Sequence, residues 1–380
     1  MEVVWGPVLS ELRQYWLGFN LVKGIGAVRL KRLLDFFGDI KTAWNASPDE
    51  LRAAGLSAGL IENLVTLRAD VTLEKVWDDV HAQGIRLLTW EDDEYPGRLS
   101  DIDNPPPVLY LRGEILPEDD WAVAVVGTRR VTAYGRQVTE QIARTLARSG
   151  VTLVSGLARG VDGIAHQVAL DAGGRTLAVL GCGVDRIYPP EHRQLARDIM
   201  ANGAMISDYA VGTPPEARNF PPRNRIISGL SMATVVVEAS AKSGALITTN
   251  FALEQGREVF AVPGNIISSS SKGTNRLIQQ GAHPLVDPEE ILETLELRLI
   301  SEQRQARTVL PSDATEALLY DTLSHEPMHV DEIRAHTDLP IEKVTSTLAM
   351  MELKGLVRQA SGMRYFVVRE AGADYEVDNR

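Results

Sequence analysis

Between residues 122 and 286, short apolar runs alternate with helix-patterned stretches, and this alternation restricts the fold more than any other feature of the chain. Strands are predicted at 122–126, 152–155, 176–180, 204–207, 234–237, 258–261 and 284–286. Helices are predicted between them at 133–148, 163–170, 191–200, 223–229, 245–255 and 274–280. Such alternation marks a parallel sheet wrapped by helices. Val123-Ala124-Val125-Val126 and Val235-Val236-Val237 are apolar without a break, as in strands covered on both faces. The expected centre is an α/β, Rossmann-like parallel-sheet core over residues 121–298.

The flanks have other patterns. Apolar residues at helical spacing over 11–19, 28–37, 48–54, 60–67 and 73–83 predict an all-helical bundle within residues 1–90. Residues 91–120 carry Pro96, Pro105, Pro106, Pro107 and Pro117, which predicts a linker with one short strand, Val108-Leu109-Tyr110-Leu111. A second linker is placed at 299–312. Three helices and a hairpin over 313–370 describe a winged helix, and 371–380 reads as a flexible tail. The opening heptapeptide lacks a basic-then-apolar pattern, no apolar run is long enough to span a bilayer, and a lone cysteine, Cys182, fits a reducing compartment. A cytoplasmic protein without membrane partners is expected.

The formal charge of −12 is unevenly spread. Residues 1–120 hold 12 basic and 21 acidic side chains, whereas residues 121–290 hold 17 and 14. A polyanion is therefore drawn to the middle of the chain, if anywhere.

The loops after the central strands give that attraction a place. They contain Gly127-Thr128-Arg129-Arg130, Ser155-Gly156-Leu157-Ala158-Arg159-Gly160, Gly181-Cys182-Gly183, Lys242-Ser243-Gly244 and Pro263-Gly264-Asn265. In open α/β sheets ligands bind beyond the carboxyl ends of the strands, and glycines let backbone N–H groups approach a phosphate. The densest basic cluster is Arg218-Asn219-Phe220-Pro221-Pro222-Arg223-Asn224-Arg225. Its arginines and asparagines suit phosphate and sugar oxygens, and Phe220 offers a face to an unpaired base. The competing reading buries Phe220 as a loop anchor.

Neither a dinucleotide fingerprint nor a complete P-loop is present, and no cofactor or metal is expected. Asp162 and His166, four apart, read as structural. Glu238, directly after a strand, is the best single candidate for a general base, but a helix-capping role is preferred. Lys23-Gly24-Ile25-Gly26, with Arg29, Lys31 and Arg32 soon after, resembles a helix-hairpin-helix turn that presents N–H groups to a DNA phosphate.

The ordered strings Val125-Val126-Gly127-Thr128-Arg129-Arg130, Ser155-Gly156-Leu157-Ala158-Arg159-Gly160-Val161-Asp162, Phe220-Pro221-Pro222-Arg223-Asn224-Arg225-Ile226-Ile227 and Lys242-Ser243-Gly244-Ala245-Leu246-Ile247-Thr248-Thr249 resemble the core of the DprA/Smf (DNA-processing protein A) family. The helical segment is similar to that family's SAM-like domain, and the C-terminal unit to its winged-helix extension. The resemblance implies a single-stranded DNA-binding protein of natural transformation that protects incoming strands, dimerises through its core, loads RecA recombinase and has no catalytic turnover. It places the Gly127-Thr128-Arg129 loop, Phe220 with Arg223-Asn224-Arg225, and Lys242-Ser243-Gly244 at the DNA. The loop reading adds Ser155, Gly156, Arg159, Arg218, Asn219, Pro263, Gly264 and Asn265. Ser207-Asp208-Tyr209 departs from the family's usual glutamate at the middle position. The alternative is a nucleotide-binding or nucleoside monophosphate phosphoribohydrolase-like protein using the same sheet edge.

Overall fold

The computed structural model describes residues 7–297, 314–323, 328–337, 339–353, 357–360 and 363–367. The linker expected at 299–312 and the tail at 371–380 lie outside the described residues. The chain divides into two compact units, 1–295 and 296–380.

The first unit opens with six helices, α1 (Pro7–Leu21), α2 (Ala27–Phe37), α3 (Ile40–Asn45), α4 (Pro48–Ala53), α5 (Ala58–Asp70) and α6 (Leu73–Ala82). Local chemistry sets several starts. Asp39 accepts from the Thr42 N–H at 2.8 Å, and Ser47 with Glu50 forms a reciprocal capping box. Next come β1 (Arg86–Thr89), α7 (Gly97–Ser100), β2 (Val108–Gly113) and β3 (Ala122–Val126). The parallel core continues through α8 (Ala133–Arg148), β4 (Thr152–Ser155), α9 (Val161–Asp171), β5 (Thr176–Val179), α10 (Arg193–Asn202) and β6 (Gly203–Ser207). It closes with α11 (Phe220–Gly229), β7 (Ala233–Val236), α12 (Ala245–Glu254), β8 (Glu258–Ala261), α13 (Lys272–Gln279), β9 (His283–Pro284) and α14 (Glu289–Thr294).

The sheet order is β1-β2-β6-β5-β4-β3-β7-β8-β9. From β6 to β9 all pairings are parallel, and the uninterrupted apolar run of β3 is buried along its length, as strands with both faces covered require. The order runs outward from β3 in both directions, so the crossover direction reverses between β3 and β7. That reversal is the switch point where open α/β sheets hold ligands.

The proline-rich stretch does more than link. Its β2 pairs antiparallel with β6, and β1 pairs with β2, so both extend the sheet. The prolines flank these strands, where no ladder hydrogen bond is lost. This edge ties the helical segment to the core. Trp16, Phe19 and Leu33 share one apolar cluster with Tyr110, Leu180 and Met205. Polar bonds pin the seam: the Tyr110 hydroxyl donates to Asn20 Oδ1 at 2.8 Å, and Trp16 Nε1 donates to Glu91 at 3.1 Å.

In the second unit α15 (Ala314–Thr322), α16 (Val330–Thr337) and α17 (Ile341–Leu353) precede the hairpin, and a two-residue strand, β10 (Met328–His329), precedes α16. The hairpin consists of β11 (Val357–Ala360) and β12 (Arg364–Val367), and β10 pairs with β12. Leu319, Ile333, Val344 and Leu348 are buried between the helices. This is a winged helix.

Candidate nucleic-acid interface

A cavity of about 610 Å³ opens at the switch point. The loop after β3 supplies Gly127, Thr128, Arg129 and Arg130, and the turn before α12 supplies Ser240, Ser243 and Gly244. Phe220, Arg223 and Asn224 enter from α11. Among the described residues, Asp162 is the only carboxylate of the lining. It is turned inward, accepting from the N–H groups of Gly156 at 3.2 Å and Ala158 at 3.4 Å. Burial pushes its carboxyl up from the usual range, against the pull of Arg223.

Phe220 is held from several sides. Its ring lies where a Cβ on residue 181 would come within 2.8 Å of it, so Gly181 leaves the space that seats the ring. The Tyr188 ring is 5.9 Å away with a 36° tilt. The Arg129 guanidinium stands 5.6 Å from the Phe220 centroid, within cation–π range. Phe220 is half-buried and lines the cavity, so it is both anchored and open to a ligand.

The predicted cations separate into three kinds. Arg129 and Lys242 are exposed and form no ion pair among the described residues. Lys242 sits on the turn before α12, beside the lining rather than in it. Arg159 pairs with Glu191, Arg218 with Glu216 at 2.6 Å, and Arg225 with Asp208 at 2.8 Å. The shortened carboxylate of Ser207-Asp208-Tyr209 thus still reaches an arginine. Arg223 is different again. It is 4% exposed, and its Nη1 donates to the carbonyls of Gly156, at 2.9 Å, and Val179. A Cβ on residue 156 would meet this guanidinium at 2.6 Å, so the motif glycine makes room for the motif arginine. Arg223 therefore builds the cavity floor, with Nη1 turned to backbone carbonyls and Nε to Asn224 Oδ1 at 3.3 Å.

Other predicted residues lie outside the lining. Ser155 is buried and donates to the Val125 carbonyl at 2.7 Å. Asn219 reaches the Pro214 carbonyl at 3.4 Å. Gly264 and Asn275 exchange two hydrogen bonds, while Tyr134 donates to the Pro263 carbonyl at 2.8 Å. Asn265 is exposed and accepts from the Ile267 N–H at 3.0 Å.

Glu238 has the structural role. Its carboxylate accepts from the Thr132 N–H at 2.9 Å and the Thr132 hydroxyl at 2.7 Å, while Thr132 caps α8 by accepting from Gly135 N–H at 3.1 Å. His166 is fully buried with Nδ1 on Thr176 Oγ1 at 2.6 Å, and burial pushes it down to about 3, leaving it neutral. Neither group faces the cavity.

Sequence reasoning missed Arg130, Tyr188 and Thr248 as cavity residues. Arg130 was legible as part of a basic loop. Tyr188 lies in the loop between β5 and α10, and no spacing signal links it to Phe220.

These features define a doubly wound α/β protein with an arginine-bordered cavity at its switch point, followed along the chain by a winged helix. Residues 86–296 match the model of DNA recombination-mediator protein A, and residues 303–363 match the DprA winged helix domain. Protein Smf from Synechocystis sp. is 37% identical over 388 residues, spanning 92% of this chain and 98% of that one. DNA processing protein DprA from Bacillus subtilis is 42% identical over 224 residues, 59% of this chain and 75% of its own. Among solved structures, DNA processing protein A from Streptococcus pneumoniae superposes with a TM-score of 0.66 at 31% identity, covering 74% of this chain and 97% of that one. DNA processing protein A from Helicobacter pylori, solved for its single-stranded DNA binding mode, gives 0.50 at 32% identity, covering 55% and 95%. The chain belongs to the DNA recombination-mediator protein A family, also called DprA or Smf.

Proposed function

We propose that this chain binds single-stranded DNA in the switch-point cavity. Bases lie against Phe220, while phosphates meet Arg129, Arg130, Lys242 and the N–H groups of the glycine-bearing loops. The observation that carries the reading is a half-open aromatic ring beside a guanidinium without an ion pair among the described residues, in a cavity whose described carboxylate is turned inward. An unpaired base presents a face to such a ring, whereas in a duplex that face is stacked away. The single-stranded DNA binding mode described for the Helicobacter pylori relative supports the same ligand.

A salt titration of a fluorescent single strand, with duplex as competitor, tests the reading. Affinity should fall steeply as salt rises, and duplex should compete poorly. Arg129→Ala and Lys242→Ala should each weaken binding to all sequences and flatten the slope by about 0.7 for each phosphate no longer neutralised. Equal affinity for single strand and duplex, or wild-type slopes in both variants, would defeat it.

The family resemblance extends the proposal to loading RecA recombinase on the bound strand, in a homodimer formed through the core, without turnover. RecA activity on strands pre-coated by a competing binding protein should rise on adding the chain, and no rise removes the loading step. The phosphoribohydrolase alternative gains nothing from the site, because both oxygens of Glu238 are engaged by Thr132. Release of adenine from AMP would reinstate it.

A further inference from the structure

A second cavity, of about 440 Å³, lies between the N-terminal helices and the core. Its lining carries three guanidiniums, Arg29, Arg32 and Arg225, together with Gly26 and Asn104, and no carboxylate among the described residues. This basic spot stands out because residues 1–120 as a whole are acidic.

Three independent observations give it a ligand of defined chemistry. The turn Lys23-Gly24-Ile25-Gly26 leads into α2 with Gly24 at a φ of 93° and Gly26 as an N-cap lacking any side-chain cap. Gly26, Ala27 and Val28 line the cavity, so the start of α2, which has no capping carboxylate or hydroxyl, borders it. Arg29 is braced by donating to the Gly24 carbonyl at 2.6 Å, and it remains exposed, as does Arg32. From the core side, Arg225 adds a third guanidinium to the lining, with its Nη2 held by Asp208 at 2.8 Å.

Continuity makes this cavity part of a larger path. Helix α11 borders both cavities: Asn224 lines the switch-point cavity, and its neighbour Arg225 lines the second. Successive helical residues point about 100° apart, so a strand leaving the first cavity has to cross over α11 to reach the second.

We infer that the α2 turn, Arg29, Arg32 and Arg225 form a second phosphate subsite, which takes the backbone of the same single strand beyond the switch-point cavity. This inference rests on the function proposed above. The helical segment thereby lengthens the site instead of merely supporting it.

The test compares the full chain with Arg29→Ala/Arg32→Ala on two oligothymidines, one of roughly 6 nucleotides and one several times longer. The short oligomer fills the switch-point cavity alone and should bind the double variant as it binds wild type. The long one should lose several-fold in affinity, with a salt slope flatter by about 0.7 for each phosphate released. Both arginines are exposed, so the melting temperature should not move. Equal affinity of both proteins for the long oligomer overturns the subsite, as does an equal loss on both lengths. If wild type binds neither oligomer, the proposed function itself falls. If Arg129→Ala weakens both lengths while the double variant changes neither, only the subsite falls.

Discussion

Arg223→Ala should cost about 3–5 kcal/mol of folding stability, the largest loss expected for any single motif substitution in this chain. The guanidinium is buried under the cavity, where it satisfies the Gly156 and Val179 carbonyls and offsets the buried charge of Asp162. Truncation leaves two carbonyls without donors, a carboxylate without its counter-charge, and a void beneath Phe220. Burial already disfavours the charged guanidinium, which is tolerable only because those partners surround it. Chemical denaturation should show a much lower midpoint, and Arg223→Lys should restore only part of it, since an ammonium lacks both the Nε that donates to Asn224 Oδ1 and the planar group that fills the space against Gly156. An Arg223→Ala protein with wild-type stability that only lost DNA binding would show that the residue is a ligand contact and not the floor.

The second large effect belongs to the rings. Phe220→Ala should weaken single-strand binding by about 1–3 kcal/mol for each base that stacks there, roughly 5- to 150-fold. Part of the ring is buried, so some stability goes with it, and Phe220→Leu separates the two losses: it keeps apolar packing while removing the π-face. Tyr188, 38% exposed and 5.9 Å from Phe220, should contribute a smaller loss on Tyr188→Ala, concentrated on oligomers long enough to place a second base. Wild-type affinity in Phe220→Leu, measured by anisotropy at fixed salt, would remove stacking from the mechanism.

Much of the core was legible because its physics is local. The strands predicted at 122–126, 152–155 and 258–261 coincide with β3, β4 and β8, since an apolar run bounded by glycine turns has few other ways to bury itself. The strand at 108–111 was legible and lies within β2, but its place in the sheet was not, because its pairing with β6 is set by partners nearly a hundred residues away, and β1 gave no signal of its own. The candidate site divides in the same manner. Residue type and order pointed to the switch-point loops, but not to which cations are free. Arg129 and Arg225 look equivalent in a string of letters. Only the fold brings Asp208 against one of them and leaves the other beside an aromatic ring.

The apolar cluster running from Trp16 through Tyr110 to Met205 means the N-terminal helices are not a detachable attachment. Removing them would strip cover from β2 and from the α10 flank, baring greasy surface that water penalises at about 25 cal/mol per Å². A relative built without this segment must repaint that flank with polar side chains, and a chimera that swaps only the helices must carry the matching β1–β2 edge along with them.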